Sequence, residues 1–319
     1  MSLSGARSAK VITNSNGNYH FDSLDTDNFY TVTPALASYH FAPANRSFSL
    51  LANKADAVFT AAADAVPAAN AIDSNEFFVR QQYLDFLGRE PDQGGLDYWA
   101  GKLNQCNGDA GCLRAGRVET SAAFFQSQEF QETGSYIYRL YHGALGRQLS
   151  YSEFTADRQA VVGGANLDAA QAAFASAFVG RAEFVQKYQA STTAESFVDA
   201  LLQTVRDSTN ADLSSERANL ISRYSSGGTM NESRGLVVRD LAENAAFANA
   251  VYNPSFVLME YFGYLRRGSD ADGYAFWLNV LNTSGAGDYR GMVCSFITST
   301  EYQRRFGSVV TRTNAECGH

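Results

Sequence analysis

Histidine is scarce in this 319-residue chain, with only His20, His40, His142 and His319, and tryptophan scarcer still, with two. None of the histidines stands in an H-E-x-x-H pattern or at metal spacing from a cysteine. There is no G-x-S-x-G elbow, no phosphate-binding loop of the Walker type and no G-x-G-x-x-G fingerprint, which excludes the commonest motif-borne hydrolase and nucleotide chemistries. Gly285-Ala286-Gly287, ahead of Asp288, is a lone G-x-G and carries little. No run of about 18 apolar residues occurs, so no segment is expected to span a membrane. The first residues also lack the apolar core of a signal peptide, and an export signal is expected to lie outside this sequence. A basic excess is missing too. Lys and Arg number 25 against 33 Asp and Glu, a net charge of −8 that repels a phosphate backbone and argues against nucleic acid as partner.

What is present suffices for packed domains. The chain is 45% hydrophobic and 13% aromatic, too apolar for disorder, and its length allows about two domains. Of four cysteines, Cys106 and Cys112 bracket a short Asn-Gly-Asp-Ala-Gly loop. That spacing suits a local disulfide better than zinc, which wants about two to four intervening residues. An even count with one local pair predicts two disulfides among Cys106, Cys112, Cys294 and Cys317, in an oxidising compartment, rather than four buried thiols.

The most informative feature is a duplication. Residues 78–104 and 256–282 align without a gap, 178 positions apart, with ten of 27 positions identical, among them Tyr83/Tyr261, Arg89/Arg267, Asp92/Asp270, Gly95/Gly273 and Trp99/Trp277. Apolar spacing in both copies is helical: Val79, Tyr83, Phe86 and Leu87 share one face, and Leu96, Trp99 and Leu103 another. Gly88 to Asp92 supplies a helix stop and a new start, with Asp92 placed to cap. Weaker echoes fill the interval. Tyr141 with Leu145-Gly146-Arg147 restates Tyr83 with Leu87-Gly88-Arg89 58 residues later, and Ala177 to Phe184 restates the segment ending at Phe130. A further unit runs from Ser196 to about Phe247, and the last closes on Ser299 to Tyr302. The expectation is an internally repeated helical domain over residues 74–307, with about four units of two or three helices.

Residues 1–60 differ. Short β-rich segments (AKVIT, NYHF, FYTVTP, RSFSL, AVFT) alternate with turn signals, and Phe29, Thr31 and Thr33 alternate with Tyr30 and Val32. This predicts a small β-sandwich, followed by an Ala-rich linker over 61–73 that contains Pro67. Residues 308–319 read as a C-terminal tail tied by Cys317. The fold class is mainly α, an all-helical repeated domain preceded by a small, incomplete sandwich.

Two resemblances rest on these residues. Asn16 to Phe21, Tyr30 to Pro34 and Phe41-Ala42-Pro43 resemble the carboxypeptidase-regulatory-like and Cna-B-like modules of bacterial surface proteins. Such modules begin with a further strand, so an unpaired edge is expected that a partner could complete. Residues 76–306 resemble the bacterial domain-of-unknown-function family 4214, through Phe78-Val79, Tyr83, Leu87-Gly88-Arg89-Glu90-Pro91-Asp92, Gly95-Leu96-Asp97-Tyr98-Trp99 and the Ser-x-Glu-(Phe/Tyr) closers at 127–130 and 299–302. The resemblance implies secreted or surface-attached bacterial proteins and supplies no activity or catalytic residue.

Candidate site residues are few. Asp270 and Asp272, with Asp92 at the matched position, could hold calcium. The twelfth position counted from Asp270 is Leu281 rather than a bidentate Glu, so helix capping is favoured. Tyr98-Trp99 and Phe276-Trp277 could form a sugar-stacking platform, but the two tryptophans are expected in the core, because they recur at fixed helical positions. Tyr98 and Asp97 are expected to be exposed and to meet a ligand. Arg89 and Arg267 are expected to pair with a helix-end carbonyl or a carboxylate such as Glu90. The expected function is a non-enzymatic extracellular or cell-surface module for adhesion, matrix or envelope structure, with a glycan or surface protein as partner and no cofactor. The alternatives are a homopolymer assembled through the N-terminal strands and an extracellular polysaccharide hydrolase with dispersed carboxylates.

Overall fold

The computed structural model describes all residues except 15, 37–38, 64–68, 163–165, 284–288 and 318–319. Pro67, the Gly285 to Asp288 run and His319 therefore lie outside the described residues. The chain forms two bodies, Met1–Asp73 with Gln303–Thr311, and Ser74–Tyr302 with Arg312–His319.

The N-terminal body holds β1 (Ser2–Gly5), β2 (Ala9–Lys10), β3 (Asn28–Thr33), β4 (Tyr39–Ala42), β5 (Arg46–Leu50) and β6 (Thr60–Ala63). An antiparallel sheet runs β2-β1-β3-β5, and β4 pairs with β6. The alternation in β3 works as expected: Tyr30 and Val32 are buried with Leu3, while Phe29 is exposed on the other face. There Thr31 stands opposite Ser47 and their hydroxyls hydrogen-bond at 2.8 Å. Tyr19 and Phe21 form no strand; their rings pack onto the Leu3–Tyr30–Val32 core instead. Two boundaries differ from expectation. Strand β6 runs to Ala63, three residues into the segment read as linker. Gln303–Thr311 belongs with this body rather than with the repeats, because Asn70 donates to the carbonyls of Gln303 (2.9 Å) and Val309 (2.7 Å).

In the helical body, each repeat contributes four helices among the described residues. Repeat 1 holds α1 (Asn75–Gln82), α2 (Gln93–Asn104), α3 (Ala110–Gln126) and α4 (Gln128–Glu132). Repeat 2 holds α5 (Gly134–Leu145), α6 (Tyr151–Arg158), α7 (Leu167–Phe178) and α8 (Ala182–Lys187). Repeat 3 holds α9 (Ala194–Thr209), α10 (Arg217–Tyr224), α11 (Met230–Glu243) and α12 (Ala245–Ala250). Repeat 4 holds α13 (Tyr252–Glu260), α14 (Ala271–Thr283), α15 (Arg290–Ile297) and α16 (Thr300–Arg304).

Local chemistry sets these boundaries. The first helix of each repeat stops at a left-handed residue: Gly88 (φ 69°), Gly146 (φ 74°), Asn210 (φ 58°) and Arg266 (φ 54°). In repeats 1 and 4 a π-helical turn precedes that stop, Tyr83–Leu87 and Tyr261–Leu265, at the same register. The short last helix opens on Ser127, Arg181, Asn244 or Ser299. Three residues later a ring is locked in the core: Phe130, Phe184, Phe247 or Tyr302. Disulfides join Cys106 to Cys112 and Cys294 to Cys317, with Cα separations of 5.5 and 5.8 Å.

The repeats do not stack in chain order. α3 packs on α15, and the two π-turns meet, so repeat 4 closes onto repeat 1; α7 and α5 pack on α11 and α9, so repeats 2 and 3 pair with each other. No helix among the described residues is long and apolar enough to cross a membrane.

Candidate ligand-binding surface

Helices α2 and α14 begin alike. Asp92 accepts from the Gly95 amide at 2.8 Å and Asp270 from Gly273 at 2.7 Å. These backbone donors hold both carboxyls below the usual range. Glycine is required at both positions, since a Cβ would collide with the hydroxyl of Tyr83 or Tyr261. Asp92 and Asp270 are thus capping residues, Asp272 is exposed in the first turn of α14, and no cluster of three or more metal-ligating side chains occurs among the described residues.

One turn further along each helix stands an aromatic pair. Tyr98 meets Trp99 edge-on at 5.1 Å and 79°, and Phe276 meets Trp277 at 5.0 Å and 75°. Each indole leans on the following long helix, Trp99 on Phe124 (5.7 Å) and Trp277 on Phe296 (6.0 Å). The tryptophans are half-buried rather than in the core. At the neighbouring position Tyr98 is 56% exposed and Phe276 59% exposed, so each pair forms a step at the surface. Lys102, which sequence reasoning passed over, sets its ammonium 4.4 Å from the Tyr98 ring centre and 4.9 Å from that of Trp99. Asp97 accepts from Gln93 at 2.8 Å on the same exposed flank. The signal for Phe276 was available in the alignment, since it stands where Tyr98 does.

An arginine clamp occurs in three of the four repeats. Arg89 forks onto Glu129 (2.6 and 2.7 Å), donates to the Glu90 carbonyl and lies over the Tyr83 ring. Arg267 does the same with Glu301, the Gly268 carbonyl and Tyr261. Arg147 follows with Glu183, the Gln148 carbonyl and Tyr141. The carboxylate partner is therefore the glutamate of the closing segment, Ser-x-Glu in repeats 1 and 4 and Arg-x-Glu in repeat 2, while Glu90 pairs with Arg80. This explains why the Arg and the closer occur together: one fork fixes the turn after the first helix against the fourth.

His142 is buried and stacks on Tyr138 at 5.4 Å, and burial lowers its pKa. A second concavity of about 250 Å³ lies along α7 and α11, lined by Ala172, Ser176, Gly235 and Leu236. Its flanking charges are committed: Glu232 accepts from the Thr229 amide, and Arg239 pairs with Asp168 and Glu243.

No curated protein and no solved structure matches this chain. A family model does match, over residues 59–133 and 239–306, which contain the two repeats that carry the aromatic steps. The family whose model matches these first and fourth repeats is described as domain of unknown function (DUF4214).

Proposed function

We propose that the protein is a non-enzymatic extracellular binding module that docks glycan on the aromatic steps of repeats 1 and 4. The observation that carries this reading is the exposure of Tyr98 and Phe276 at matched positions. Large rings left in water at equivalent places in two copies fit a binding role better than chance exposure. The apolar face of a sugar ring packs on such a surface, and Gln93, Asp97 and Lys102 offer hydrogen-bonding groups around the first step. Two disulfides agree with an oxidising, extracellular setting. Titration calorimetry against a panel of soluble polysaccharides tests the reading. Tyr98→Ala and Phe276→Ala should each weaken binding about tenfold without lowering the melting temperature. Absence of binding to the whole panel, or unchanged affinity in the double variant, would overturn it.

A second reading is self-assembly through the N-terminal body, favoured by its exposed Ile12, Phe29, Leu36, Leu51 and Val58 and by the sheet edges β2 and β5. Light scattering across a concentration series separates the two: a constant mass near 34.7 kDa excludes assembly.

A further inference from the structure

Helix α13 and its π-turn carry a stripe of residues about one turn apart: Tyr252, Phe256, Glu260 and Tyr264. Tyr252 and Phe256 set their rings on Phe125 of repeat 1 (5.6 and 4.7 Å), and Tyr264 sets its ring on Phe86 (5.2 Å). Between them Glu260 is 0% exposed, and neither carboxyl oxygen has a hydrogen-bond partner. A buried, unpartnered carboxyl is costly, and far more so if it is ionised.

The duplicate position shows what is missing. In repeat 1 it is Gln82, which donates to the Tyr302 hydroxyl (3.2 Å) and the Phe78 carbonyl (3.4 Å) and accepts from Ser121 (2.5 Å). Ser121 in turn meets the Tyr264 hydroxyl. The ring pairs Tyr83–Phe124 and Tyr261–Phe296 fix the register of the two copies. In that register the counterparts of Tyr302, Ser121 and Tyr264 are Phe130, Val293 and Phe86. Every side chain that satisfies Gln82 is apolar in the copy that holds Glu260.

Burial alone pushes this carboxyl well above the carboxylate range, and no charged side chain among the described residues offsets it. The elements packed against α13 carry phenols at Tyr252 on its own first turn, Tyr261 and Tyr264 on the π-turn, Tyr274 on α14 and Tyr138 on α5, all pushed up by burial. Helix α5 also carries Arg139 and His142, both pushed down by burial, and α14 carries the exposed Asp272. Asp85 acts on Tyr264, and α12 brings no titratable side chain.

We infer that Glu260 is a pH-sensitive latch in the seam between repeats 1 and 4, closed while the acid is uncharged and loosened as pH rises. The folded chain keeps a proton that the opened chain releases at ordinary carboxylate values. Opening is therefore favoured as pH climbs above that range, until Glu260 ionises in place.

Hydrogen exchange on the full chain with both disulfides intact tests this. In the wild type, protection on α3 and α13, corrected for intrinsic exchange, should fall about tenfold per pH unit across the mildly acidic to neutral range. In Glu260→Gln, whose amide copies Gln82 and never ionises, it should stay level. Equal slopes in the two proteins would overturn the proposal. Should the variant fail to fold, the infrared spectrum of the wild type decides. A protonated-carboxyl band persisting at neutral pH supports the latch, and its absence from the folded protein removes it.

Discussion

Where repeats 1 and 4 meet, contact is made by rings and by a chain of side-chain hydrogen bonds: Phe86, Phe125, Phe256 and Tyr264, with Gln82, Ser121 and Tyr302. Where repeats 2 and 3 meet, the helices approach until backbones nearly touch. A Cβ on Gly235 of α11 would lie 3.1 Å from the Ser176 Cα of α7, and one on Gly143 of α5 would lie 3.1 Å from Leu241 and Phe247. The buried polar groups of this second seam reach chiefly for backbone, with the Tyr188–Thr204 hydroxyls (3.3 Å) and the Arg239–Asp168 pair as side-chain contacts across it. Buried Arg234 donates to the carbonyls of Tyr188 (3.1 Å) and Ser191 (2.6 Å), and Arg139 to that of Ala242 (2.5 Å). The first seam is ring-built and lopsided. Repeats 1 and 4 share ten of 27 aligned positions, yet Gln82, Ser121 and Tyr302 are matched by Glu260, Val293 and Phe130, so its polar chain exists on one side alone. The second seam is built instead from small residues and backbone acceptors.

The comparison breaks most sharply at a ring that meets two others across the first seam. Phe125 is fully buried and touches Phe130, Tyr252 and Phe256. Phe125→Ala should cost about 3–5 kcal/mol in urea denaturation. A loss under ~1 kcal/mol would mean that rings do not hold this seam.

Next in size is a matched pair of small-to-large changes. Gly235→Ala should cost about 1–3 kcal/mol, because its close neighbour is helix backbone that shifts only as a whole. Gly263→Ala, on the aromatic seam, meets the ring of Phe86 at 3.1 Å. A ring can tilt, so the smaller loss is expected there. If the order reverses on thermal melting, the contrast between a backbone seam and a ring seam fails.

The helices and their repetition were legible because they depend on local chemistry: apolar spacing, the left-handed stops at Gly88 and Gly146, and the caps Asp92 and Ser127. The partnership of repeats 1 and 4 was not legible, since it rests on pairs such as Ser121–Tyr264, separated by 143 residues with nothing between to mark them. The same reason hid which carboxylate Arg89 takes, though it does meet a neighbouring carbonyl, that of Glu90. Glu90 is adjacent in sequence, but the fork closes on Glu129, which the fold brings round. At the site, Tyr98 and Asp97 were legible as exposed positions on an amphipathic helix. The half-burial of the tryptophans was not, because it depends on where α3 and α15 leave their ends. Glu260 shows in the alignment only as a conservative exchange for Gln82. Its strain appears once the partners of each are known.

The smallest effect expected sits in repeat 2 and runs against the latch. Arg147 forks onto two carboxylates, Glu153 and Glu183, where Arg89 forks onto Glu129 and Arg267 onto Glu301 with Asp270 further off at 3.8 Å. The guanidinium beside it holds the Glu153 carboxyl down to about 2 from the ordinary 4.5, helped by the Ser150 amide and hydroxyl. The folded chain therefore releases this proton more readily than the unfolded one. The clamp contributes fully above the ordinary value and is lost as pH falls through that window. All three side chains are about a third exposed or more, so solvent screening limits the contribution to about 0.5–1 kcal/mol. Glu153→Gln should flatten the stability profile between pH 4.5 and about 2 and leave the profile above it untouched. Glu260→Gln should act only above that window. Two variants acting on opposite sides of one pH would separate an acid-closed seam from an acid-released clamp in the same body; a shared response would mean that neither carboxyl governs its own repeat.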